Sequence, residues 1–436
     1  MTVLKKGIRY LLKIVGSGDG QSQFAKNFLK VVKANIFARA LPLLVTPILT
    51  RMYAPEDFAA LSLFMSILLL ASSFSTMKFE WSLPSVDSNS TAVSLISLGL
   101  FFLLLTTTSF LLIIILLFTI DFTSLWKGFD ILGLLLYLLP IAVLGLGLKS
   151  LLETWHIRAN DLTPISYSKV VESSLDVTFS LIGGGLKLMS AGLILAKVVG
   201  IWSAVATLLL NTKDLMTSLK EVKRYKLIRV FKRYSKEAFW SSLTSITNTL
   251  GFILPLFIFT QLYPTKEVGW YALMNTLALA PVAVFSAALG QSFWSEAAKM
   301  ARGKEFIELK GLYLKTTYNL SLFSIPAIVV LLLSPFYLDI ILGSQWQDAS
   351  YIMVALIPFV VGKLIFAPTN HLIVLSKQYL QAGCDITRIV LTIIAIVISY
   401  KLEFSFFTTV LMTSLASFAG YIVLFLTHLK VHTQYG

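Results

Sequence analysis

The chain has 436 residues, 56% of them hydrophobic and 13% charged, with a net charge of +14. A soluble globular surface carries about 25% charged residues, so a water-exposed fold of this length is excluded and a bilayer is the natural solvent. The single cysteine, Cys384, excludes an internal disulfide or a cysteine metal cluster, and His156, His371, His428 and His432 lack metal-ligand spacing. No cofactor is expected, and the basic excess reads as membrane topology rather than as a nucleic-acid surface.

Residues 1–30 are basic and polar, without an apolar core before a small-residue cleavage site, so the first span is expected to stay as an anchor. Hydrophobic stretches then predict an all-α integral membrane protein of twelve spans, at 31–51, 59–77, 91–118, 130–151, 165–185, 188–211, 238–262, 269–293, 312–333, 350–374, 384–400 and 405–427. Ser94 to Ile120 holds no charge at all. Alternate loops hold most of the Lys and Arg, whereas the loops on the other side hold Arg51, Lys127, Lys187, Lys266 and Lys401. That asymmetry predicts both termini in the cytoplasm. The longest basic loop, 212–237, divides the chain into expected halves at 1–211 and 238–436. It reads as a topology anchor or an interfacial amphipathic helix on anionic lipid.

The halves form a weak repeat. A shift of 210 residues pairs Tyr53 with Tyr263, Asp57 with Glu267, Ala59 with Gly269 and Leu63 with Leu273. A shift of six spans makes the repeats parallel, which predicts two six-helix bundles related by a pseudo-twofold along the membrane normal, with substrate between them.

Several segments resemble a known family. RMYAPEDF (Arg51–Phe58) between two spans, MKFEWSLP (Met77–Pro84), ETWHIRANDLTPISYSKV (Glu153–Val170), KLMSAGLILAKVVG (Lys187–Gly200), the eighth span from Glu267 to Ala298, and LGSQWQDAS (Leu342–Ser350) occur in the order seen in Wzx-type polysaccharide-unit flippases. These belong to the multidrug/oligosaccharidyl-lipid/polysaccharide (MOP) exporter superfamily. The resemblance covers nearly the whole chain. Two departures are Ala59 in place of the family's usual glycine and Lys78 where arginine is frequent; lysine lacks the bidentate fork that arginine offers a phosphate.

The resemblance implies a flippase of the bacterial inner membrane. It would carry undecaprenyl-diphosphate-linked oligosaccharide from the cytoplasmic to the periplasmic leaflet by alternating access, for O-antigen (lipopolysaccharide), capsule or a related glycan. The partners implied are that lipid-linked oligosaccharide, membrane lipids, a coupling proton or sodium ion, and the polysaccharide polymerase and chain-length proteins.

An anionic head group needs a polar, cationic path through about 30 Å of hydrocarbon. The bases within spans are Lys33, Arg39, Lys149, Lys169, Lys197, Lys315, Lys363 and Arg388, against the acids Glu172, Asp176 and Asp385. Lys33, Lys149 and Lys315 lie near span ends, where snorkelling accounts for them. Arg39, Lys197 and Lys363 lie near span centres, at a cost of about 2.5–3.5 kcal/mol each on insertion scales. They are the expected substrate-binding cations, with a structural ion pair to Asp176 as the competing role. Lys169, Glu172 and Asp176 share one helical face at i, i+3 and i+7. A Lys169–Glu172 pair would leave Asp176 to couple transport to a proton or another cation, with Glu172 assisting. Lys363 and Asn370 share a face of the tenth span, flanked by Pro358 and Pro368, which permit bending. Asp385 and Arg388 read as a local ion pair.

The competing functions are a multidrug or toxin extrusion antiporter of the same superfamily and a membrane glycan polymerase. A net-positive interior disfavours cationic drugs. The largest loop on the sparsely charged side, Ser334–Asp348, offers only Asp339 and Asp348 for catalysis, so no enzymatic activity is expected.

Overall fold

The structure is a computed structural model. It describes residues 19–433 apart from 87, 121–125, 160, 213–214, 216–217, 220–222, 370–371, 373–374 and 376. The long elements are helices: α1 (Asp19–Met52), α2 (Pro55–Ser72), α3 (Asn89–Thr119), α4 (Lys127–Arg158), α5 (Thr163–Gly185), α6 (Met189–Leu209), α7 (Arg224–Leu262), α8 (Thr265–Gly303), α9 (Phe306–Leu332), α10 (Ser344–Ala355 continued by Ile357–Phe366), α11 (Gln378–Lys401) and α12 (Phe406–Thr433). Among the described residues, nine helices are long and apolar enough to cross a membrane, or ten if the bent α10 is one span. The helices at the first and fifth expected positions fall outside that set. Their charges, from Lys26 to Arg51 on α1 and Lys169, Glu172 and Asp176 on α5, lower their hydropathy.

Local chemistry sets the helix ends. Pro55 fills the first turn of α2, where its missing N–H costs nothing. Asp57 accepts the Ala54 backbone N–H at 2.9 Å, and its charge suits the positive helix start. Glu267 occupies the matching first turn of α8, after Pro264. In α10 the chain bends by 48° just before Pro358, where proline cannot supply a ladder hydrogen bond. This is the bend expected from the sequence.

The apolar surface divides as a bilayer demands. Leu63, Phe64 and Leu68 of α2 are fully enclosed, while α3 turns Phe101, Leu104, Leu105 and Leu112 outward, toward what would be acyl chains. The charged α5 packs on α6 and α1, and Ser173 donates to the Ala38 carbonyl at 2.9 Å. The glycine run at its end is a packing device. A Cβ on Gly183 would stand 2.7 Å from Gly192 Cα and 2.9 Å from the Tyr53 hydroxyl. That hydroxyl donates to the Ser180 carbonyl at 2.7 Å. Its repeat partner, Tyr263, hydrogen-bonds Thr409 at 2.6 Å, so each tyrosine ties the end of its half's first helix to a later helix of the same half.

Residues 224–237 of the expected linker are helical and continuous with α7. At 39 residues, α7 is about 58 Å long, well beyond a hydrocarbon core of about 30 Å. Phe231 in this extension packs on Phe79 and Phe102 of the first half, at 6.0 and 6.2 Å between ring centroids.

A cationic cavity between the two halves

Basic residues of α4 and α7 meet the start of α3 at one end of the bundle, where Arg158 donates to the Val86 carbonyl and to Asn89 Oδ1 and Lys226 donates to the Ser90 hydroxyl; this is the basic end, and the other is the far end. A cavity of about 420 Å³ lies toward the basic end, between α2 and α4 of the first half and α7 of the second. Such a volume falls in the range of ligand sites for small molecules.

The first-half wall is built where α2 breaks. After Ser72 the chain turns through Met77 and Lys78, both left-handed (φ 51° and 53°), into a short 3₁₀ segment, Phe79–Ser85. Positive φ at two consecutive non-glycine residues is a strained arrangement. It brings Lys78 to the cavity wall, where its ammonium donates to the Ser72 carbonyl at 3.3 Å and lies 4.0 Å from Glu80. Burial lowers the Lys78 pKa below the usual lysine value, and the neighbouring Glu80 carboxylate partly offsets that. Glu80 is fully enclosed and accepts from Thr76 at 2.9 Å and Ser150 at 3.1 Å.

Lys149 and Glu153 of α4 complete that wall. Lys149 is therefore no snorkelling residue: it faces the cavity and pairs with Glu172 of α5 at 2.5 Å. This pairing replaces the expected Lys169–Glu172 contact, because α4 delivers a cation across the bundle to the same carboxylate. Asp176 does not stand alone either, since Lys197 of α6 meets it at 2.5 Å. Gly200 lets α6 approach, as a Cβ there would lie 3.1 Å from the Glu172 carbonyl. For Lys197 the competing role, a structural ion pair, is the one the geometry displays.

The opposite wall is a polar stripe on α7. Ser245, Asn248, Thr249 and Phe252 recur at i, i+3, i+4 and i+7 and face the cavity. Behind Phe252 stand two cations of the second half. Lys363 Nζ lies 3.9 Å from the ring centroid, and the Arg388 guanidinium carbon 5.0 Å from it. Phe252 lines the cavity and Lys363 is half-buried, so cation–π contacts of this kind are worth about 0.5–1 kcal/mol. Arg388 is held by Asp385 at 3.2 Å and donates to the Tyr421 hydroxyl at 2.9 Å, as the local pair in the sequence suggests. It threads between α7 and α12 where a Cβ on Gly251 or Gly420 would come within 2.8 and 2.6 Å of it.

The structure thus brings Lys363 beside the cavity and draws Lys197, Glu172 and Asp176 into ion pairs of the first half. Lys169 is half-buried on α5, away from the cavity lining, and Arg39 stands exposed on α1. Asn370 lies outside the described residues. Sequence reasoning missed Lys149, the α7 stripe and Phe252. A signal existed for the stripe: SSLTSITNT, Ser241–Thr249, is unusually polar for a membrane span.

The arrangement of helices is one shared with solved membrane transporters. The fold resembles a lipid II flippase MurJ in an inward closed conformation, with 14% identity, a TM-score of 0.73, and 93% of this chain and 89% of that one covered. It also resembles an inward-facing multidrug resistance MATE family transporter of the MOP superfamily, with 13% identity, a TM-score of 0.70, and 91% and 95% covered. An outward-facing MATE family structure superposes less closely, with 14% identity, a TM-score of 0.57, and 94% and 96% covered. No sequence among curated proteins matches. The polysaccharide biosynthesis protein family matches residues 48–351, and the chain belongs to that family. Its apolar helices make it a multi-pass membrane protein, and its fold is the one seen in these solved transporters.

Proposed function

We propose that this protein flips a polyprenyl-diphosphate-linked oligosaccharide, of the undecaprenyl class, across the bacterial inner membrane by alternating access. The observation that carries this reading is the cavity between the halves, with Lys78 and Lys149 on one wall and Lys363 and Arg388 behind Phe252 on the other. A diphosphate is a concentrated dianion. Cations in a low-dielectric cleft attract it far more strongly than they would in water. The hydroxyls and the amide of α7 suit sugar hydroxyls, while the polyprenyl tail stays in lipid. In this reading the basic end is cytoplasmic, both termini included. The delivered unit passes to a polymerase and chain-length proteins for O-antigen, capsule or a related glycan.

Within the same proposal, Arg39, Lys169, Lys197 and Asn370 assist Lys363 along the substrate path. Asp176, with Glu172, couples the cycle to a proton or sodium ion. Each carboxylate exchanges its lysine partner for that cation as the lobes move.

Complementation tests this function. In a glycan-producing strain lacking its own flippase for the same repeat unit, the wild-type chain restores surface polysaccharide. Lys363→Ala and Lys149→Ala do not, at equal membrane levels. Full restoration by both variants overturns the cationic-cavity reading. A multidrug antiporter would instead protect cells from organic cations and leave the glycan unchanged.

A further inference from the structure

Two of the family-like motifs, RMYAPEDF and LGSQWQDAS, are not explained by the cavity. They meet at the far end. Arg51, in the last turn of α1, donates from Nη1 to the Ile341 carbonyl at 2.7 Å and from Nη2 to the Ile340 carbonyl at 3.1 Å. These carbonyls belong to a short helix of the second half, Leu338–Leu342. In return, Trp346 Nε1 donates to the Thr50 carbonyl at 3.0 Å, and Gln345 Nε2 donates to the carbonyls of Thr50 and Tyr53, the latter at 3.2 Å. Trp346 is fully enclosed, its ring edge-on to Phe58 at 5.3 Å.

The same device recurs across the pseudo-twofold. Lys127, the first residue of α4, donates from Nζ to the Tyr263 carbonyl at 2.8 Å and from its backbone to Gln261 Oε1 at 3.1 Å. Trp126 lies against Phe257 of α7 at 5.3 Å. Tyr53 and Tyr263 are partners in the 210-residue repeat, and so are Arg51 and Gln261. Each half therefore sets a tryptophan against the other half's first helix and a side-chain donor on a carbonyl at that helix's C-terminal end, although only Trp346, and not Trp126, itself donates to such a carbonyl. Helix C-termini leave their last carbonyls without intrahelical donors. Supplying those donors from the other lobe turns a routine capping need into a bond between lobes. Water can replace the donors, so such a bond is reversible. Between the two latches, α2 and α8 touch backbone to backbone: a Cβ on Gly269 would lie 1.9 Å from the Pro55 carbonyl oxygen.

We propose that these reciprocal caps are the far-end gate, two latches of unequal strength that close the cavity to the far side and part when it opens there. The Arg51–Gln345–Trp346 latch is the stronger. It combines a cation on helix-terminal carbonyls with a fully enclosed indole, whereas the Lys127 latch has only a single ammonium and a half-buried indole.

The inference rests on the transporter reading but not on the sugar. Its test therefore reads accessibility without substrate. In a Cys384→Ser chain, Asn248→Cys on α7 places one thiol in the cavity. A membrane-impermeant charged methanethiosulfonate is applied to sealed vesicles, from the basic side or from the far side. The parent labels from the basic side and slowly from the far side. Arg51→Gln, which removes a charge-assisted donor, speeds far-side labelling about tenfold. Gly269→Val wedges α2 from α8 and does the same, and Lys127→Met gives a smaller rise. Joining Arg51→Cys to Ile340→Cys with a short bis-methanethiosulfonate, which forms a disulfide at each cysteine as methanesulfinate leaves, in a Cys384→Ser chain, halts transport until the link is reduced. Far-side labelling at the parent rate in both Arg51→Gln and Gly269→Val, at equal membrane levels and with monodisperse purified protein, overturns the gate. So does full transport by the cross-linked chain. Failure to flip any glycan lipid, with labelling as expected, overturns the substrate and leaves the gate standing.

Discussion

The two halves treat their buried charges differently. In the first half, cations and acids meet as pairs across helices, Lys149 with Glu172 and Lys197 with Asp176. In the second half, Lys363 rests on an aromatic face, and no ion pair engages it among the described residues. A paired lysine has its countercharge built in. A lysine held on a ring has no carboxylate to displace before it meets an incoming anion. In the proposed function, Lys363 can meet the anion without first giving up a carboxylate, whereas Lys149 and Lys197 must exchange theirs.

The largest expected effect breaks a first-half pair. Lys197→Met leaves Asp176 buried beside an apolar side chain, and thermal unfolding in detergent should show a loss of up to about 3 kcal/mol. The double variant Lys197→Met/Asp176→Asn should recover most of it, since removing both charges also removes the desolvation cost. Equal losses in the single and double variants would mean that the pair is not the origin of the effect.

The next effect is on transport. Lys363→Ala should lower the flipping rate by about tenfold or more, as expected for loss of a contact between charged groups, with little change in melting temperature. Lys363→Arg should retain a substantial part of the rate. If Lys363→Ala melts as badly as Lys197→Met, the contrast between the halves collapses.

A third effect is in pH. Burial lowers the Lys78 pKa, so its cationic form is lost at a lower pH than for an ordinary lysine as pH rises. Transport should fade on the alkaline side, and Lys78→Arg should extend activity to higher pH because a guanidinium does not deprotonate there. An unchanged alkaline limb in Lys78→Arg would remove Lys78 from the substrate path. The smallest effect is Phe252→Leu. Losing the ring under Lys363 and Arg388 should slow transport by about two- to fivefold, in line with a cation–π contact of about 0.5–1 kcal/mol, while Phe252→Trp stays near wild type.

The sequence carried the fold because the bilayer leaves few solutions. Long apolar stretches must be helices, and the Lys- and Arg-rich segments fall at every second connection. The charged fifth helix shows the limit of that reasoning, since hydropathy undervalues a helix whose acids are paired with lysines of its neighbours. The bend at Pro358 and the Asp385–Arg388 pair were legible because both are local. The pairing of Glu172 was not. Three residues of spacing favour Lys169, but side chains respond to whichever cation the tertiary packing brings, and here α4 brings Lys149. Arg39 looked central by position along its helix, yet stands exposed, because depth along a helix does not say which face meets the cavity. Phe252 could not be found from sequence at all. An aromatic residue in a membrane helix is ordinary until two cations lie on it.

The central claim, an anionic lipid-linked sugar carried through a cationic cavity, is tested most directly by reconstitution. Purified protein in proteoliposomes would be given a fluorescent polyprenyl-diphosphate oligosaccharide, and flipping read as quenching of the probe that reaches the outer leaflet. The account predicts flipping that a soluble diphosphate sugar inhibits and that the combined Lys78→Ala/Lys149→Ala/Lys363→Ala chain has lost. Undiminished flipping by that triple variant, or uptake of an organic cation with no flipping of the diphosphate lipid, would contradict it.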